Sequence, residues 1–440
     1  MRNSKNRVAV SKLHEKNGIS FYAVQSDKFK TIQLDIFLIH PLQKEAVSEN
    51  ALFPYVLRRG CSRYATQLEL ALRLEELYGA GISAAVHKKG ENQIIHLNSG
   101  FVADQFTSGN TNLFDEAGSL LLEVLTRPVL EEGLFRRDYF DQEKTNLIQR
   151  IQSRVNDKMH YALRRCLEEM CAGEPYAIYE DGDEEGAGTI TLEGLMARYR
   201  KTLAESPMVV FISGNVNDKD TGRFIDKFSG LERDCNKSFY KSQVTKDVAK
   251  VRRIEEPMDV SQGQLCLGFR TQVEAGSPDY FPLAIYNSIL GGGVQSKLFQ
   301  NVREKESLAY YIFSRLEKFK GLLVACGGID IKNKEKAEKI ILEQMEAIRH
   351  GNISDLEIEA AKKSIETGTK SMQDSQGGMI DFYLSQLLAG DDDDIESFLD
   401  KLMKVEKEDV VRISEKITPD TVYFLTSLSG ESTGEGSRNE

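Results

Sequence analysis

TITLEGLMARYRKTLAESPMVVFISG (Thr189–Gly214) and MKVEKEDVVRISEKITPDTVYFLTSLSG (Met403–Gly430) share one pattern. In each, apolar residues recur at helical spacing, a short polar break follows, and an apolar run of strand length ends at a glycine. The two stretches lie roughly 215 residues apart in a chain of 440, so the reading is of one αβ unit used twice.

Working outward, the segments upstream of each copy follow the same order. In the first half, TIQLDIFLIHPL (Thr31–Leu42) begins with strand-like alternation, and TQLELALRLEELYGAG (Thr66–Gly81) is an amphipathic helix closed by glycines. AAVHKKGENQIIHLNSGF (Ala84–Phe101) reads as a hairpin turning at Lys89–Asn92. Two longer helices are expected from about Leu113 to Leu125 and from about Leu134 to Asn156. In the second half, GQLCLGFRTQV (Gly263–Val273) and GLLVACGGIDI (Gly321–Ile331) read as strands. YFPLAIYNSILGGG, KAEKIILEQMEAIRHG and LEIEAAKKSIETGTKSMQ read as helices. The expected division is an N-terminal lobe over 1–230, a polar linker over 231–258, a C-terminal lobe over 259–428, and a Gly-, Ser- and Glu-rich disordered tail over 429–440.

Composition narrows the class. Hydrophobic residues make up 40% and charged residues 28%, the balance of a globular protein. A net charge of −11 disfavours a nucleic-acid surface, which needs clustered Lys and Arg. No apolar run is long enough to span a membrane, and MRNSKNRVAVSKLHEKNGIS at the amino terminus has no apolar core typical of an export signal. A cytoplasmic protein is therefore expected. Its six cysteines, without CxxC spacing, read as reduced and mostly buried thiols.

GGGVQSKLFQNVREKESLAYYIFSR (Gly291–Arg315) carries the most specific signal. It resembles the carboxy-terminal motif of the M16 (pitrilysin/insulinase) metallopeptidase family, in which a glycine-rich turn leads into S-x-L-F-x-x-x-R-E-x-x-x-L-x-Y. Arg303 and Tyr310 fall on the family's paired Arg and Tyr. The resemblance implies an α+β fold of two homologous lobes with mainly antiparallel sheets and packed helices, LuxS/MPP-like. It also implies that Arg303 and Tyr310 contact a substrate backbone near a zinc ion, where such donors stabilise developing carbonyl charge.

The zinc motif itself is missing. Active M16 members carry H-x-x-E-H on a helix of the first lobe, two His ligands one helical turn apart with a Glu base between them. Setting the glycine after that helix on Gly60 places Ala51 and Tyr55 at the His positions and Pro54 at the Glu. FDQEKTNLIQRIQ (Phe140–Gln152) resembles the segment supplying the last ligand, and Arg150 stands there. Methyl, phenol, proline and guanidinium groups do not make a zinc site. None of the six histidines, His14, His40, His87, His96, His160 and His350, has another four residues on. His87 and His96 face each other across the expected hairpin without further ligands. No metal or other cofactor is expected in this chain.

The resemblance thus implies a non-catalytic, substrate-binding subunit of a bacterial heterodimeric zinc protease, with zinc on an HxxEH-containing partner chain and a peptide or unfolded polypeptide as substrate. LFPYVLRRGC (Leu52–Cys61) further resembles a segment of YfmF-type M16 relatives, which lack the zinc motif and are associated with aminopentanol modification of elongation factor P. The alternative is a peptide-binding or scaffold protein of M16 fold, as in the core subunits of respiratory complexes. Of the bland features, Gly291–Gly293 lacks the Lys-Ser/Thr of a phosphate loop and reads as a helix-ending turn or a close-approach segment. Asp391–Asp394 reads as a solvated loop leading into a helix start.

Overall fold

A computed structural model describes residues 9–108, 112–235 and 237–428; the tail expected over 429–440 lies outside the described residues. The chain forms two compact units, the first built from 1–153, 178–241 and 371–388, the second from 154–177, 242–370 and 389–440.

The first unit carries a six-stranded sheet. Its strands are β1 (Ala9–Lys16), β2 (Ile19–Gln25), β3 (Thr31–Pro41), β4 (Gly81–Lys89), β5 (Asn92–Val102) and β6 (Met208–Gly214), in the order β1-β2-β6-β3-β5-β4. Every pairing is antiparallel except β2 with β6. The β1–β2 hairpin turns on Asn17 and Gly18, both with positive φ (53° and 70°), the conformation that a two-residue turn between twisted strands requires. One face of the sheet is apolar: Leu34, Ile36 and Leu38 of β3 pack with Leu120, Leu121 and Val124 of helix Leu113–Thr126 and with Leu52 and Val56 of helix Lys44–Leu57.

The second unit repeats this plan. Its strands are β7 (Arg252–Met258), β8 (Gly263–Arg270), β9 (Ala309–Glu317), β10 (Leu322–Ile329) and β11 (Thr418–Ser427), in the order β9-β10-β8-β11-β7. Only β11 and β7 run parallel. Read from the other edge, β7-β11-β8-β10-β9 matches β2-β6-β3-β5-β4 strand for strand, with the parallel pair in the same place. The duplication seen in the amino acids is therefore a duplication of topology, and β1 is an addition to the first copy. The fold is α+β with antiparallel-rich sheets.

Local chemistry explains the two decisive stretches. Helix Leu192–Glu205 starts at Thr191, whose hydroxyl accepts the Gly194 N–H at 3.0 Å. It buries Leu192, Leu195, Met196 and Tyr199, one stripe of an amphipathic helix. Helix Lys407–Ser414 starts at a capping box between Glu406 and Asp409. The strands that follow, β6 and β11, are central in their sheets; β6 is buried along its whole length and β11 through Asp420–Leu425.

Equivalent helices are exchanged between the units. Helix Lys158–Met170 follows the first copy's long helices but belongs to the second unit, where Ala162, Cys166 and Met170 pack with Cys266, Val324 and Tyr423. Helix Gln376–Ala389 follows the second copy's long helices but belongs to the first unit. There the Gln376 amide donates to the Thr31 carbonyl at 3.2 Å and the Ser213 carbonyl at 3.0 Å.

Three details differ from the sequence reading. The polar stretch read as linker ends in a strand, β7, whose residues alternate between exposed and half-buried as on a sheet edge. Cys266 and Cys326 are not free thiols: they face each other in register on β8 and β10 and are joined as a disulfide. Cys61, Cys166, Cys171 and Cys235 are free and buried, as expected. In the acidic run, Asp394 caps helix Ile395–Met403 by accepting the Ser397 N–H at 2.7 Å. Its neighbour Asp393 is buried and paired with Lys401.

Candidate functional site

Helix Lys44–Leu57 contains Pro54, which has no N–H to offer the Asn50 carbonyl. The helix persists because Ala51, Leu52, Phe53, Val56 and Leu57 are all buried in the core of the first unit. Ala51 is fully buried and Pro54 is buried. Neither has a polar side-chain atom. Tyr55 is half-buried, and the guanidinium of Arg150, on helix Arg137–Ser153, lies over its ring at 4.5 Å. Arg150 Nε points to Asp181 Oδ2 at 3.4 Å. Burial raises the Tyr55 pKa while Arg150 opposes the shift, so the phenol stays neutral at physiological pH.

Tyr55 and Arg150, two of the four positions that the sequence resemblance singles out, are thus in contact as a cation–π pair between two helices. The other two positions carry apolar side chains. The residues present do not fit a zinc ion: there is no imidazole, carboxylate or thiolate among the four, and one is a permanent cation. Among the described residues no group of three or more His, Cys, Asp or Glu side chains is arranged to hold a metal. The His87 and His96 rings come within 6.2 Å of each other, and His96 Nε2 is 2.7 Å from the buried carboxylate of Asp35.

Beside the pair lies an ion pair that the sequence reading did not single out. Arg59, just past the end of helix Lys44–Leu57, reaches Glu143 on helix Arg137–Ser153, and both are buried. Arg59 Nη1 also donates to Gln67 at 2.9 Å, and Asn146 Nδ2 donates to Glu143 at 3.1 Å. Its signal was the second arginine of Arg58-Arg59-Gly60, a charged residue continuing a buried helical stripe.

Arg303 and Tyr310 lie in the second unit on irregular backbone. The motif helix takes a π form over Phe299–Lys305 and stops there; Ser307 follows with φ 52°, and Tyr310 is on β9, not on the helix. Ala309 pairs with Ile329 and Tyr311 with Gly328, so Tyr310 is the extra residue of a β-bulge. The residue is 72% exposed. Arg303 is also solvent-facing, its guanidinium 4.6 Å from the Phe299 ring and 3.9 Å from Glu304. No hydrogen bond joins Arg303 to Tyr310 among the described residues. π-Turns and bulges re-aim side chains and recur at functional sites.

The glycine run before this motif has divided roles. A Cβ on Gly291 would lie 2.3 Å from the backbone nitrogen of Ser314, so that glycine permits helix Tyr280–Gly291 to touch β9. A Cβ on Gly293 would meet nothing within 4 Å.

Residues 189–365 match the family described as Peptidase M16 inactive domain. Over 424 residues the chain is 36% identical to the Probable inactive metalloprotease YmfF of Bacillus subtilis, across 96% of this chain and 99% of that protein. The chain belongs to the M16 peptidase family. As an M16 chain it is also similar to solved structures. One is a conserved protein from Enterococcus faecalis V583, with a TM-score of 0.88 at 27% identity over 97% of this chain and 100% of that one. Another is a peptidase M16 inactive domain from Pseudomonas fluorescens, with a TM-score of 0.79 at 17% identity, covering 96% and 98%. The second of these speaks to the fold alone. This M16 chain lacks the HxxEH motif throughout, and no described helix is long and apolar enough to cross a membrane.

Proposed function

We propose that this chain is an inactive, peptide-holding subunit of a two-chain M16 zinc protease, whose partner carries HxxEH and the metal. One contrast carries the reading: apolar side chains and a cation–π pair fill the zinc positions, whereas Tyr310 is turned out to solvent on a bulge seven residues after an equally open Arg303. Exposed donors of this kind serve a bound peptide rather than the core. Arg303 and Tyr310 would hold the substrate backbone and place donors near the carbonyl that the partner's metal polarises. The Leu52–Cys61 segment supports a link of this pair to elongation factor P modification, in the cytoplasm.

The test is reconstitution. The chain alone is expected to cleave no peptide. Mixed with the HxxEH-bearing M16 chain of the same genome, it should give cleavage of a fluorogenic peptide. Arg303→Ala or Tyr310→Phe should then lower kcat/KM about tenfold or more, with the two chains still co-eluting. Co-elution with no cleavage, indifferent to both substitutions, favours a scaffold of M16 fold instead. Hydrolysis by the isolated chain with stoichiometric zinc would overturn both readings.

A further inference from the structure

The first unit contains a cleft of about 550 Å³ that shares no residue with the Tyr55–Arg150 site. It forms where β3 ends, β5 begins and helix Leu192–Glu205 runs out. Arg198, Lys201 and Glu205 face it from that helix, spaced to share one side, and His40 faces it from the end of β3. Another wall is a strap carrying Lys237 and Tyr240. The strap is bolted down by the buried Asn92 side chain, which donates to the Tyr240 carbonyl at 2.8 Å and accepts the Tyr240 N–H at 3.2 Å.

Its charge runs against that of the chain. Among the described residues three cations line it and one carboxylate, in a protein of net charge −11. Lys237 pairs with Glu205 at 2.8 Å and Arg198 with Glu49 at 2.9 Å. Lys201 has no hydrogen bond or ion pair among the described residues. The His40 ring donates from Nδ1 to the Pro41 carbonyl at 2.8 Å, which leaves Nε2 as its other polar atom. Burial first, and then Arg198, Lys237 and Lys201, push the His40 pKa below its ordinary value. Like charges gathered in a partly enclosed space repel one another unless an anion joins them.

We propose that this cleft binds a small multivalent oxyanion, a phosphate ester or a polycarboxylate, held chiefly by Lys201 with Arg198, Lys237 and His40 around it. The volume suits a small molecule rather than a polymer. An anion among these groups favours the imidazolium form of His40. Binding then takes up a proton, and affinity rises as pH falls through the His40 titration, with Glu205 the opposing charge among the described residues of the wall.

Calorimetry on the full chain at low salt tests this, with pyrophosphate and citrate as separate probes. Saturable one-site binding of at least one probe is expected. Pyrophosphate alone assigns the phosphate-ester class, and citrate alone the polycarboxylate class. Lys201→Ala should weaken binding about tenfold and Lys201→Glu should remove it. Lys201 is exposed, so both variants should fold, as circular dichroism would verify. His40→Gln should flatten the pH dependence. Absence of saturable binding by both probes, or binding unchanged in Lys201→Glu, overturns the proposal.

Discussion

The guanidinium of Arg150 covers the ring of Tyr55 at 4.5 Å, a contact between helices Lys44–Leu57 and Arg137–Ser153. The contact is partly solvated and is worth about 0.5–1 kcal/mol. Ala51, one turn before Tyr55, is fully buried instead. Ala51→His should therefore cost more than Arg150→Ala: about 1–3 kcal/mol from overpacking, against less than about 1 kcal/mol. Urea unfolding of the two variants compares them. The reverse order would mean that the pocket is roomy and not filled.

Arg59 and Glu143 form a buried pair between the same helices. Removing one partner strands the other charge, and Arg59→Ala or Glu143→Ala should each destabilise by about 3–5 kcal/mol. The double replacement Arg59→Met with Glu143→Leu should recover most of that loss. Equilibrium unfolding of all three variants measures the difference, and a double variant as weak as the single ones would contradict it.

Glu174 gathers Arg270, Lys246 and Lys320 around one carboxylate in the second unit, and Arg270 and Lys320 are themselves fully buried. Burial works against the charged form, but the hydrogen bonds from Arg270, Lys246 and Lys320 outweigh it and pull the Glu174 pKa down to about 2 from 4.5. Because the folded value is the lower one, the stabilisation is complete above pH 4.5 and is lost as pH falls toward 2. It amounts to a few kcal/mol, roughly 2–3 after allowing for its partial exposure. Glu174→Gln should lower stability at pH 7 and flatten its slope between pH 4.5 and 2, as thermal melts across that range would record. An unchanged slope would show that other carboxylates set the acid limit.

The three consecutive glycines should answer differently to one substitution. Gly291→Ala drives a methyl group into the backbone of β9 and should cost at least about 1–3 kcal/mol. Gly293→Ala meets open space and should be near neutral. Melting temperatures of the two variants settle the order. If Gly293→Ala leaves stability intact yet impairs cleavage by the reconstituted pair, that glycine serves the substrate and not the fold.

Arg303→Ala and Tyr310→Ala should each change stability by no more than about 0.5 kcal/mol, because both side chains stand in solvent. Chemical denaturation checks this. A larger loss would show that the bulge depends on the Tyr310 ring, and would weaken the case that these residues are kept for a substrate.

Legibility varied with how much a segment's burial depends on its neighbours in sequence. The hairpin at Lys89–Asn92 and the helices Leu113–Thr126 and Tyr280–Gly291 follow from local periodicity. The first hairpin is not legible from periodicity, although Asn17-Gly18 is a strong turn signal, because β1 faces solvent along most of its length and its pattern is polar. Strand β7 was hidden for a similar reason: an edge strand with one partner needs little apolar surface. Within the site, the side-chain types at Ala51, Pro54, Tyr55 and Arg150 are legible in the sequence. The Arg59–Glu143 pair was not, because two charges 84 positions apart reveal their partnership only in contact.

The sequence by itself determined that the chain is one unit written twice and that no imidazole, carboxylate or thiolate stands at Ala51, Pro54, Tyr55 or Arg150, since periodicity and side-chain chemistry are properties of residues. Only the tertiary structure decided that helices Lys158–Met170 and Gln376–Ala389 change places, that Arg150 lies on Tyr55, and that Tyr310 is turned outward. An amphipathic helix specifies that one face must be buried but not which sheet buries it. A bulge arises from the register between two strands, which neither strand contains alone.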